Sequence, residues 1–264
     1  MRHRTKRDWL ARLAVLGLLA SGITQAAWML VDDFSNGLGN WTVTSSIATI
    51  TTGANTLGSG PSGTVVKLDM SSTSASKYAV MTTKSTISRG SSDLMKVAFD
   101  LGYKTTGNGG YWQALSLSTS SNSQVNRAGH LGTPNSYEFA LAVGGETSFS
   151  PTSTGQLTNT WYHYEMSMTA AQTILNAYFW ASNDPAYYAS QTPVWTTTIS
   201  TAGIDTASYN LKLWVLKSTG AADGSTTTRD IMYADNVYYS VPEPAALALL
   251  GLGALGLAGR RRRR

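Results

Sequence analysis

Across residues 94–103, Val97, Phe99, Leu101 and Tyr103 fall on one side of the chain. A period of two is the signature of a half-buried β-strand. Trp112, Ala114, Leu115 and Leu117 follow after Gly107-Asn108-Gly109-Gly110, a stretch that predicts a hairpin joining the two runs. Residues 137–143 align Phe139, Leu141 and Val143. Residues 161–168 alternate most clearly, with Tyr162, Tyr164, Met166 and Met168 on one face and Trp161, His163, Glu165 and Ser167 on the other. Residues 174–180, 211–216 and 233–240 add three more runs, while 118–134 and 181–206 read as long loops at the sheet ends. With no fixed repeat and no internal linker, residues 28–240 read as one all-β antiparallel sandwich.

The two ends follow a different pattern. Arg2, Arg4, Lys6, Arg7 and Arg12 precede an apolar stretch over 13–23 and the small-residue site Thr24-Gln25-Ala26-Ala27, so residues 1–27 read as a signal peptide, helical in its apolar part. At the other end stand Val241, Pro242, Glu243 and Pro244, then an unbroken apolar run over 245–258, then Gly259 and Arg260, Arg261, Arg262, Arg263 and Arg264. The prolines stop the last strand and the arginines hold the C-terminus on the cytoplasmic side of a transmembrane helix. That run spans about 21 Å of helix against a hydrocarbon core of about 30 Å, a weak anchor that suits a segment meant for removal.

These ends change the charge argument. The chain is formally +5, but residues 28–240 hold 10 Lys and Arg against 13 Asp and Glu. The basic character belongs to the ends, and a nucleic-acid-binding domain has no basic patch to rest on. Cysteine is absent, which excludes disulfides, thiolate metal sites and Cys nucleophiles.

Pro242-Glu243-Pro244, an apolar helix and terminal arginines together resemble the PEP-CTERM sorting signal, a tail also named after ice-binding proteins that carry it. The resemblance covers residues 241–264. It implies a Gram-negative bacterium that makes extracellular polysaccharide, and an exosortase that cleaves near the Pro-Glu-Pro. Three short stretches resemble concanavalin A-like jelly rolls, including laminin-G-like modules: residues 31–37 with Trp41, residues 157–164, and residues 234–239. That likeness implies a jelly-roll sandwich and leaves function open, because lectins, adhesion modules, hydrolases and lyases share the fold.

No catalytic residues are assigned. The Glu-x-Asp strand motif of family-16-type glycoside hydrolases is absent, as is a Gly-x-Ser-x-Gly elbow. Alginate-lyase relatives of this fold need Arg/Gln/His/Tyr clusters on the concave sheet; the only histidines in residues 28–240 are His130 and His163, and no matching strand motif appears. Glu138, Glu146 and Glu165 are the acids from which a sugar-facing pair would come. Sugar binding needs a flat aromatic beside polar groups, which Trp161, His163 and Glu165 supply on one strand face and Tyr111 and Trp112 supply from a loop. Tyr187, Tyr188 and Trp195 form a further aromatic set. Asp32, Asp33 and Asp235 lie near the two ends of the domain, where terminal strands of a jelly roll meet, and offer carboxylates to a structural calcium ion. No regular Thr-x-Thr array supports ice binding. The expectation is a non-enzymatic protein exported by the general secretion machinery, held in the membrane until an exosortase releases it to the cell surface or matrix, and associated there with extracellular polysaccharide in a biofilm. A polysaccharide-active hydrolase or lyase and a purely structural surface protein are the alternatives.

Overall fold

A computed structural model describes residues 27–45, 49–70, 77–89, 94–104, 111–119, 124–133, 136–144, 146–149, 159–200, 208–217 and 230–241. Residues 1–26 of the expected signal segment, nearly all of the tail and the Gly107–Gly110 turn lie outside the described residues. Trp28–Ser240 forms one compact unit.

The strands are β1 (Met29–Asp32), β2 (Trp41–Ser45), β3 (Thr49–Ala54), β4 (Thr64–Met70), β5 (Lys77–Thr83), β6 (Ile87–Ser88), β7 (Leu94–Lys104), β8 (Tyr111–Ser118), β9 (Gln124–Thr133), β10 (Ser136–Val143), β11 (Glu146–Phe149), β12 (Thr160–Thr169), β13 (Thr173–Phe179), β14 (Trp195–Ile199), β15 (Ser208–Lys217) and β16 (Asp230–Ser240). They build two antiparallel sheets. Sheet A runs β14-β13-β12-β7-β16-β4-β3 with β1 also on β16, and sheet B runs β11-β10-β9-β8-β15-β5-β2 with β6 also on β15. The all-β sandwich expected from the alternation is the fold observed.

Strand β16 serves two partners along one edge, β4 through residues 230–234 and β1 through 237–239. A register shift between Asp235 and Tyr238 separates them. Asn236 sits in that bulge at φ 50°, a left-handed conformation that asparagine tolerates better than most residues.

The core lies where the inner faces meet. Tyr164 stacks on Phe99 at 5.1 Å, and Phe139 of sheet B meets Tyr162 of sheet A edge-on at 5.0 Å. Met81, Leu115, Leu213, Leu101 and Met166 fill the space between and are fully buried. Packing of this kind, rather than disulfides, stabilises the domain.

Three expectations are corrected. Residues 94–103 and 112–117 do not form a hairpin: β7 is central in sheet A and β8 is central in sheet B. The span 118–134 is not a loop but contains β9, whose buried positions include Asn126 and Ala128. A strand carrying small and polar residues inward shows no apolar alternation for sequence reading to detect. The span 181–206 contains a 3₁₀ turn, Pro185–Ser190, and the edge strand β14.

Candidate functional site

Strand β12 projects as its alternation predicts, with Tyr162, Tyr164, Met166 and Met168 buried in the core. Trp161, His163 and Glu165 point to the outer side of sheet A, but two loops cover the first two. Trp161 is 1% exposed, packed with Leu57, Val65, Ile231 and Tyr233 under the β3–β4 loop. Its indole Nε1 donates to Asn55 Oδ1 at 3.2 Å, and the same Asn55 donates to the Pro61 carbonyl and accepts from the Leu57 amide. Gly60 and Gly102 press directly on the indole. A Cβ at Gly102 would lie 2.6 Å from Trp161 Cδ2 and Cε2. Trp161 is a packing residue and not a ligand contact.

His163 is likewise 1% exposed. Strand register places it beside Asp100 of β7, and its Nδ1 lies 2.7 Å from Asp100 Oδ1. The other carboxylate oxygen accepts from Trp180 Nε1 at 3.0 Å and Asn236 Nδ2 at 2.8 Å. Burial alone would lower the His163 pKa, but the bond to Asp100 and the attraction of Glu165 carry it above its ordinary value. Its Nε2 lacks a hydrogen-bond partner, and Glu165 Oε1 stands 3.7 Å away, too far for a hydrogen bond but close enough for charge attraction. An Asp–His pair has the parts of an acid–base dyad, yet the Tyr188 ring seals it, stacked on the imidazole at 3.8 Å and 5°. Among the described residues no positive sign of catalysis appears.

That seal leads outward to the surface. The Tyr188 hydroxyl accepts from the Ala181 and Ser182 amides and donates to the Ser182 carbonyl. Asp184 caps the 3₁₀ turn through the Ala186 amide, and Pro185 starts it. Burial pushes the Tyr188 hydroxyl up to about 12. Tyr187, the next residue, packs edge-on against Tyr188 at 5.2 Å and is 44% exposed. Asn183 joins the loop to the sheet by accepting from Asn236 and, through its carbonyl, from the Tyr238 hydroxyl. One exposed aromatic ring therefore stands on a buried Asp100–His163–Tyr188 pillar, amid the exposed polar residues Asn183, Asp184, Ser190 and Gln191.

The remaining candidates do not assemble around it. Tyr111 and Trp112 open strand β8, paired with Lys217 and Leu216, on sheet B and not on the sheet that carries Trp161. They occupy a strand rather than a loop, and their side chains, like that of His130, lie outside the described residues. Glu138 and Glu146 belong to sheet B and Glu165 to sheet A, so the three do not share a face. Trp195 is 9% exposed and stacks on Phe139 in the core.

Asp32, Asp33 and Asp235 do gather where β1 meets β16. Asp32 uses both oxygens internally, accepting from the Phe34 amide, Asn40 Nδ2 and Trp41 Nε1. Asp33 accepts from the Ser35 amide and hydroxyl, which lowers its pKa. Asp235 is 4% exposed and its Oδ1 has no partner. Burial, with Asp100, Asp33 and Asp32 adding repulsion, pushes its carboxyl up to about 8. Among the described residues no three His, Cys, Asp or Glu side chains converge on a metal-sized space, and both Asp32 oxygens are already engaged.

Sequence reading singled out His163 but missed Asp100, Trp180 and Asn236, which define its role. The available signal was Asp100 itself, a lone acid between Phe99 and Leu101 in an apolar strand.

Residues 240–263 match the PEP-CTERM protein-sorting motif. It marks an exported, exosortase-processed protein. Among the described residues no helix is long and apolar enough to cross a membrane; the expected C-terminal helix lies outside them. No curated protein matches the chain. Solved structures do. The CBM2 module of the evolved Dit of Lactobacillus casei BL23 phage J-1 aligns with a TM-score of 0.53 at 12% identity, over 83% of this chain and 98% of that one. Lectin II from Ulex europaeus gives 0.51 at 11%, over 81% and 97%. An alginate lyase from a Corynebacterium species gives 0.50 at 11%, over 80% and 96%. At such identities the likeness establishes the lectin-like jelly-roll sandwich and nothing finer.

Proposed function

We propose that the exported sandwich associates with extracellular polysaccharide in the surface matrix or biofilm, and that the loop carrying Tyr187 is its contact. The observation that carries this is the exposed Tyr187 ring on its buried support. A sugar's C–H face stacks on an aromatic ring while nearby amides and carboxylates take its hydroxyls. A ring already immobilised loses little entropy on binding, so the pillar beneath it favours affinity. Residues 1–27 act as the leader and 241–264 as a transient anchor, so that the working form is the sandwich alone.

Tyr187→Ala is expected to weaken retention on matrix polysaccharide about tenfold, the effect of losing one stacking contact. Surface exposure predicts a stability change within about 0.5 kcal/mol. Affinity electrophoresis beside a thermal melt reads both. Retention equal to wild type, or none by the wild type, would reject the assignment.

A second reading concerns calcium. Asp235 Oδ1, a buried acceptor without a donor among acids, supports a cation held by Asp33 and Asp235 with backbone carbonyls and water completing its shell. Such an ion would neutralise the acids and fasten β1 to β16. The sign of the pH effect follows from Asp235, whose carboxyl rises from 3.8 to about 8 on folding. Between those values the folded state keeps a proton that the unfolded chain has lost, so without a cation stability falls as pH rises. Calcium at a hundredfold excess over its Kd is expected to raise Tm by about 5–10 °C at pH above 8 and little near pH 5. Asp235→Asn should abolish both the slope and the shift. A melt unaffected by calcium and by EDTA above pH 8 would exclude the ion.

A further inference from the structure

A groove of about 400 Å³ opens beside β1, within the range of small-ligand sites. Its lining combines apolar surface from Leu30, Val31 and Tyr239 with Lys84, Ser85 and Thr86. Leu30 is 51% exposed and adds apolar surface to the groove.

Lys84 gives the groove its chemistry. Its ammonium donates to the Gly39 carbonyl at 2.8 Å. An ammonium has three donors, so two remain. Among the described residues no carboxylate is paired with it. The segment that carries it is held on both sides. The Lys84 amide donates to the Asn40 carbonyl, and Asn210 donates to the carbonyls of Thr83 and, at 3.4 Å, Ser85. A cation fixed at the wall of a half-apolar groove, with donors to spare and no anion, is complementary to a ligand that is apolar on one face and carries one negative charge.

From this groove we infer that the domain has a binding site for an acidic sugar, a uronic acid residue whose carboxylate meets Lys84 and whose ring lies on Leu30, Val31 and Tyr239. The hydroxyls of Ser85 and Thr86 are placed to take ring hydroxyls. The choice of a sugar rests on the polysaccharide reading above, while the site itself shares no residue with the Tyr187 platform.

The test is calorimetric titration of the purified exported chain, at low salt, with a uronate tetrasaccharide, its carboxyl-reduced neutral counterpart and a sulfated neutral tetrasaccharide. Wild type is expected to bind the uronate. Lys84→Gln and carboxyl reduction should each weaken binding about tenfold, the effect of one charged hydrogen bond. Leu30→Glu, a surface change that keeps the fold and adds a like charge, should abolish it. The Lys84→Gln loss should be the same size in the Tyr187→Ala background as in the wild type, which separates failure here from failure of the platform. Equal affinity for the reduced sugar, an unaffected Lys84→Gln, or no uronate binding by the folded wild type would overturn the site. Preference for the sulfated sugar would overturn the carboxylate assignment.

Discussion

Replacing Asp100 with alanine is expected to lower the unfolding free energy by about 3–5 kcal/mol, the usual consequence of stranding one member of a buried ion pair. Three donors lose their acceptor at once: His163 Nδ1, Trp180 Nε1 and Asn236 Nδ2. Two of them cannot turn to water, because His163 is 1% exposed and Asn236 is 4% exposed, while Trp180 is half-buried. The pH dependence distinguishes this account from a simple loss of packing. In the wild type the His163 pKa is raised, so its contribution is fully present below the unfolded value of about 6.5 and is lost as pH rises through the folded value. Without Asp100 the largest contribution raising the His163 pKa is gone, so the pKa should fall and the loss of this stability should move to lower pH. Urea titrations at several pH values, read by tryptophan fluorescence, give both quantities. The Ala181 and Ser182 amides, held by Tyr188, should exchange faster in the variant as the stack on His163 loosens. A cost below about 1 kcal/mol with an unchanged pH slope would show that the pillar is not held by Asp100.

How much of this was legible in the chain depends on which contacts are local. The period-two runs of β7, β10 and β12 were readable because their inward side chains are large and apolar. Strand β9 was not, because the positions it turns inward include Asn126 and Ala128. The predicted hairpin failed for a related reason. Glycine-rich chain between two strands signals a reversal, but it does not say whether the return strand pairs with the first or crosses to the opposite sheet. The face of β12 carrying Trp161, His163 and Glu165 was identified correctly. Its burial was not, since the cover comes from loops at residues 55–63 and 180–191, remote in sequence. An outward-facing aromatic is a ligand platform or a packing residue according to what lies over it, and alternation carries no information on that. Tyr188 and Tyr187 show the same limit at closer range. The neighbours are chemically identical, and only the 3₁₀ turn decides that one is a seal and the other a surface ring.

Trp161 gives the sharpest separation between packing and binding. Trp161→Ala is expected to cost about 3–5 kcal/mol, because it removes a large buried side chain and leaves a cavity bounded by Leu57, Val65, Ile231 and Tyr233. Polysaccharide retention by the folded fraction should stay at the wild-type level. Gly102→Ala approaches the same contact from below. Its Cβ would stand 2.6 Å from the indole and 2.8 Å from Leu57 Cδ2, and both the backbone of a central strand and a fully buried ring resist moving. Overpacking of this kind costs about 1–3 kcal/mol. The two changes should not add. Once the indole is gone, the new methyl occupies space that the cavity has freed, so most of the Gly102→Ala cost should vanish in the Trp161→Ala background. A double-mutant cycle by chemical denaturation measures that coupling, and strict additivity would mean that the indole and Gly102 do not share the contact described. Loss of retention by folded Trp161→Ala at conditions where Tyr187→Ala still binds would move the sugar contact from the loop back to the strand beneath it.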